Sequence, residues 1–102
     1  MHPLRQGRRH FISHDEAAGI LRRKPPKVTH RGGHFPRAVF DELLAQPGCA
    51  GVRFYFGSKE DGSLSMVLVG ITDNEQDITT GLIAEDFYPC PPFCDATSAL
   101  IR

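Results

Sequence analysis

Two apolar runs separated by a charged, glycine-ended turn constrain this chain more than any other feature. Val52-Arg53-Phe54-Tyr55-Phe56 alternates, placing Val52, Phe54 and Phe56 on one side of an extended strand and Arg53 and Tyr55 on the other. Ser58-Lys59-Glu60-Asp61-Gly62 follows, and an Asp-Gly step readily supplies the positive φ that a hairpin turn needs. The chain resumes at Leu64 and runs to Ile71, apolar on both faces in its second half, as a central strand buried on two sides must be. An antiparallel hairpin therefore anchors the second half. The alternation assigns Phe54 and Phe56 to the core and leaves Tyr55 and Arg53 outside. Residues 72–77 read as a polar turn, and Ile78 to Ala84 as a third strand or an irregular return.

The first half reads as helical. Ser13 followed three residues later by Glu16 is a capping box, in which each side chain satisfies the other's backbone amide. Ala17, Ile20 and Leu21 make an apolar stripe, and Pro25-Pro26 stops the helix, so the spacing predicts helix one over 13–24. Residues 25–35 read as a loop whose Gly32-Gly33 permits positive φ. Pro36 suits the first helical position, Val39, Phe40, Leu43 and Leu44 form an apolar face, and Pro47-Gly48 ends helix two. The tail from Asp86 carries Pro89, Pro91 and Pro92 and reads mostly as loop. The expected fold is α+β: two N-terminal helices on a small antiparallel sheet of two to three strands, closed by a Pro/Cys-rich C-terminal loop. Residues 1–10 are a basic arm, and 11–102 a single domain.

At 102 residues, with 40% apolar and 24% charged positions, the composition is that of a globular chain. The longest apolar run, Met66 to Ile71, is strand-sized and far below the roughly 20 residues of a membrane span. No apolar stretch follows the basic N-terminus as in a secretory signal. The expected compartment is the cytoplasm, where thiols stay reduced unless they do chemistry. Formal net charge is zero, but residues 1–37 hold nine of the twelve Lys and Arg against two acids, a local +7 balanced by −7 in the remainder. Such asymmetry fits attraction between the two halves of the chain or head-to-tail self-association, and a protein partner or oligomer is the expected company. It also leaves open an anionic partner such as nucleic acid.

Cys90-Pro91-Pro92-Phe93-Cys94 is the sharpest chemical feature. A three-residue gap on a proline-stiffened turn presents two sulfurs to one point. With Cys49 and His34 (or His30) it makes a tetrahedral Cys3His set of the kind Zn2+ takes. The same pair also suits a reversible disulfide, or simply packed thiols. Arg31-Gly32-Gly33 carries the glycines of an anion-binding nest, or of a plain connector, ahead of helix two. No Gly-x-Ser-x-Gly elbow, Walker loop, dinucleotide fingerprint or His-Glu-x-x-His motif is present, and nothing nominates a catalytic residue.

Several segments together resemble a family of small bacterial proteins of unknown activity. They are Phe11-Ile12-Ser13 with Glu16-Ala17, the stretch from Leu44 to Cys49 joined to Gly51-Val52-Arg53-Phe54-Tyr55-Phe56-Gly57, Leu68-Val69-Gly70, and the closing Cys90-Pro91-Pro92-Phe93-Cys94. The resemblance implies an architecture and no reaction, and it directs attention to Cys49, Cys90 and Cys94.

Overall fold

A computed structural model describes residues 10–23 and 30–100. The arm expected over 1–10 therefore lies, all but His10, outside the described residues, as do Lys24 and the Pro25-Pro26 stop. The fold is α+β, with element order α1 (His14–Arg22), β1 (Gly32–His34), α2 (Arg37–Leu44), β2 (Gly51–Ser58), β3 (Leu64–Ile71), β4 (Ile83–Ala84) and β5 (Tyr88–Cys90). The strands form two antiparallel sheets, β2-β3-β4 and β1-β5.

Helix α1 starts where its capping box dictates. The Ser13 hydroxyl accepts from the Glu16 amide at 3.1 Å, and the Glu16 carboxylate accepts from the Ser13 amide at 3.3 Å. The helix buries none of its residues. A shallow depression shared by His14, Asp15 and Ala18 with residues 98–100 marks its neighbour as the C-terminal segment. Helix α2 is the one that packs on the large sheet, against β2 and β3. Pro36 sits one position earlier than expected, as the extended N-cap residue, and Arg37 opens the helix. After α2, Gly48 takes the positive φ of 77° that turns the chain toward β2.

The hairpin forms in the expected place, with Gly51 opposite Ile71 and Ser58 opposite Leu64. Gly62 carries the positive φ of its turn. Strand β3 is central, and its adjacent Leu68 and Val69, which point to opposite faces, are 4% and 3% exposed. The expected third strand is reduced to the two residues of β4, preceded by a single bridge from Asp77 to Ile71. Leu43 of α2, Ile71 and Phe87 complete the buried apolar set among the described residues.

Three expectations need correction. Phe54 and Phe56 lie at the surface, 56% and 67% exposed, with their rings edge to face at 5.7 Å. The alternation places them correctly on one face with Val52, but too little covers that face. An eight-residue helix reaches roughly 12 Å and an eight-residue strand roughly 27 Å, so α2 shelters only one end of the hairpin. The sheltered end is at Gly70, where Gln46 and Cys49 close down on the backbone. Second, Gly32-Gly33 belongs to an extended strand, not a loop of positive φ. Third, the C-terminal segment contributes strand β5, which pairs Gly32 with Cys90, Gly33 with Pro89 and His34 with Tyr88.

Candidate functional site

The β1-β5 ribbon gathers most of the residues singled out in the sequence. Arg31, Gly32, Gly33, His34, Cys90 and Cys94 line one shallow cleft of about 250 Å3, together with Leu21, Phe93 and Asp95. The Arg31 amide donates to the Cys90 carbonyl at 2.7 Å, so Arg31 and Gly32 both lie opposite Cys90 and the end of the ribbon is bulged. His34 stacks on Tyr88 with ring centres 5.0 Å apart, and Phe93 meets Tyr88 edge-on at 5.5 Å. The turn after β5 is held by the Phe93 amide, which donates to the Pro89 carbonyl at 2.8 Å. Nearby in sequence, His30 keeps its Nδ1 buried without a hydrogen-bond partner among the described residues.

Cys90 and Cys94 are joined as a disulfide with Cα atoms 4.8 Å apart. The reduced state expected of cytoplasmic thiols is therefore not the state of this pair: the turn already holds the two sulfurs within bonding reach. Cys49 stands apart from the cleft. Its thiol donates to the Gly51 carbonyl at 3.2 Å and packs against Gly70. His34, Cys90 and Cys94 thus share one cleft and Cys49 does not. Among the described residues no three His, Cys, Asp or Glu side chains converge as metal ligands do.

The disulfide closes a five-residue loop, and the chain-entropy relation gives about 2 kcal/mol for a loop of that length. Reduction should lower the melting temperature by roughly 10 °C, and Cys90→Ser should reproduce the shift without reductant. Calorimetry with and without reductant measures this, and Cys49→Ser should leave the difference between the two states unchanged.

The second unusual surface is the outer edge of β2. The backbone phase follows from neighbouring bonds. Gly70 accepts from the Ile78 amide and Thr72 donates to the Gln76 carbonyl, so both turn their polar groups away from β2. Ile71 turns toward it and accepts from Ala50. Alternation along the ladder then directs Gly51, Arg53, Tyr55 and Gly57 to β3. Val52, Phe54, Phe56 and Ser58 aim their N–H and C=O groups outward, where no strand pairs with them among the described residues. The edge that bears the exposed phenyl pair is also the edge with free backbone.

The opposite face of β2 is internally satisfied. Arg53 binds Asp77 at 2.5 Å and donates to the Glu75 carbonyl at 3.1 Å, and the Tyr55 hydroxyl donates to the second Asp77 oxygen. The Tyr55 hydrogen bond, then Arg53, hold the Asp77 carboxyl below the usual carboxylate range, against the upward push of desolvation. A lowered folded pKa means the stabilisation is complete above the unfolded value of about 3.9 and is lost as pH falls through the folded value. Acid unfolding should therefore be less steep below about pH 4 in Asp77→Asn than in the parent chain, as circular dichroism during acid titration would show.

Gln46 carries no signal in the sequence yet ties three segments together. Its amide donates to the Leu43 carbonyl at 2.8 Å, and its side-chain oxygen accepts from the Leu82 amide at 2.8 Å. A Cβ at Gly70 or Gly81 would intrude on that side chain. The glycines were the available clue, because they mark where backbone and side chain approach closely.

No protein-family model, curated protein or solved structure matches the chain.

Proposed function

We propose that this chain is a non-enzymatic binding and assembly module that docks through the outer edge of β2. The supporting observation is the coincidence of two properties on one strand: outward backbone groups at Val52, Phe54, Phe56 and Ser58, and phenyl rings at Phe54 and Phe56 that are 56% and 67% exposed. Backbone pairing supplies affinity in strand addition, and alternate side chains supply selectivity. Edges not used for docking are usually protected by Lys, Pro, acids or bulges. Residues 51–58 contain no Lys, Pro, Asp or Glu, and their single charge, Arg53, is held by Asp77.

The test is a photo-crosslinking residue at Phe56, compared with one at the hairpin-tip Glu60, in the cells that make the protein. Discrete adducts at position 56, lost when Phe54→Lys is added, are expected. A position-56 yield no higher than that at position 60 would overturn the reading.

A second reading, thiol-disulfide chemistry, is favoured by the disulfide itself and by its place in a cleft with Arg31 and His34. In a reducing cytoplasm a disulfide of this kind is transient and redox-active. Thiol counting after equilibration with glutathione buffers separates it from a structural staple: a redox-active pair titrates within the cytoplasmic range, and a staple stays oxidised throughout.

A further inference from the structure

We infer that the occupant of the β2 edge is a second copy of this chain, paired antiparallel to the first about a two-fold axis at Tyr55. The inference rests on the docking role proposed above and adds the partner and the register. Only Val52, Phe54, Phe56 and Ser58 offer outward hydrogen-bonding groups, so a copy pairing with this edge must join these residues to one another. A two-fold axis at Tyr55 sets Phe54 opposite the partner's Phe56, Val52 opposite the partner's Ser58, and the reverse of each. Every outward group of the strand then finds its complement. Moving the axis to Phe54 sets Ser58 opposite the partner's Ala50, whose amide is already committed to Ile71. Moving it to Phe56 sets Val52 opposite the partner's Glu60, beyond the end of the strand. Tyr55 is the one centre in which the free edge is complementary to itself over its whole length, as an isologous interface requires.

The side chains agree with that register. Cross-strand aromatic pairs are favourable in antiparallel sheets, and this arrangement creates two Phe54-Phe56 pairs on one face. Each copy's own edge-to-face pair thereby extends into a four-ring cluster. The opposite face brings the two Tyr55 rings together at the axis, their hydroxyls still bound to Asp77. Zero formal net charge leaves no overall repulsion between copies. Taking a phenylalanine as roughly 200 Å2, the exposed fractions put roughly 250 Å2 of aromatic surface per copy into the contact. With Tyr55 and both strand edges the total comes to about 1,000 Å2, the low end of specific interfaces, which fits a reversible dimer of micromolar affinity.

Sedimentation equilibrium on the purified full chain, from about 1 to 500 μM, should show a monomer–dimer transition. Phe54→Lys should weaken it at least about tenfold by adding a charge to the edge. Val52→Pro removes one outward N–H while sparing the β3 ladder, and should weaken it as well. Circular dichroism confirms that each variant is folded, and the parent chain needs no such control. For the register, spin labels at Ser58→Cys in a Cys49→Ser background should lie roughly 20 Å apart across the axis, the length of six strand residues. A separation longer or shorter by two residue steps or more, or no dipolar coupling at concentrations that give dimer, overturns the register. A parent chain that stays monomeric throughout overturns the dimer. If Phe56 then still crosslinks to a different protein, docking at the edge stands without self-pairing. If it crosslinks to nothing, both fall.

Discussion

Phe87→Ala should cost about 3–5 kcal/mol, the largest single-residue effect expected in this chain. Phe87 is 5% exposed and its ring lies over β1, with Phe35 tilted against it at 6.3 Å and Phe40 edge-on to Phe35 at 6.2 Å. It is thus the contact that seats the small sheet against the approach to α2. Gly33 is the other half of that contact, because a Cβ there would overlap the Phe87 ring and the Tyr88 carbonyl oxygen. Gly33→Ala should therefore destabilise by about 1–3 kcal/mol through overpacking. The two effects should not add. In the Phe87→Ala background the ring is gone, and Gly33→Ala should lose much of its cost, leaving a coupling of about 1 kcal/mol or more. Urea denaturation of the four proteins measures this. Additive effects would show that the Tyr88 carbonyl, and not the ring, sets the cost at Gly33.

Leu43→Ala should cost about 2–5 kcal/mol. At 1% exposure Leu43 is the most completely buried large side chain among the described residues, and it lies on α2, the helix packed against the hairpin. Few side chains share the load: Leu68, Val69, Ile71 and Phe87 complete the buried apolar set. A domain of ordinary stability holds about 5–15 kcal/mol in all, so this substitution should bring the chain close to unfolding at 37 °C. Its helix neighbours supply the contrast. Leu44, half exposed, and Phe40, 38% exposed, should each cost clearly less when changed to Ala, as denaturation midpoints would show.

These residues also show what could be read from the sequence. Local rules served well. The capping box at Ser13 and Glu16, the glycine turn at Gly62 and the two-faced burial of β3 depend on neighbours within a few positions, and each is found where expected. Rules of reach failed. Alternation states which residues share a face, but not whether anything is long enough to cover it, so it assigns Phe54 and Phe56 to a core that α2 does not extend to build. Strands β1 and β5 left no periodic trace, because Gly-Gly-His and Tyr-Pro-Cys lack alternation and a proline ordinarily argues against a strand. Pro89 is tolerated because a two-stranded ribbon has only edges. The cleft was half legible. Arg31 to His34 and the Cys90-Cys94 pair are separate signals in the sequence that only the β1-β5 register brings together, and Cys49 lies outside the cleft they line.

The β1-β5 ribbon has a further consequence. It is three residues deep and joins positions separated by the whole of 35–87, so forming it from an open chain means closing a very long loop for little return. Forming the hairpin and α2 beforehand would shorten that loop, so the ribbon should be the last seam to be sewn. Phe87 seated on Gly33 holds its middle, so fraying should begin at the outer end, at Gly32 and Cys90. Such fraying should lift the Cys90-Cys94 turn from Arg31 and Gly32, giving a dissolved thiol access to the sulfurs while the hairpin remains intact.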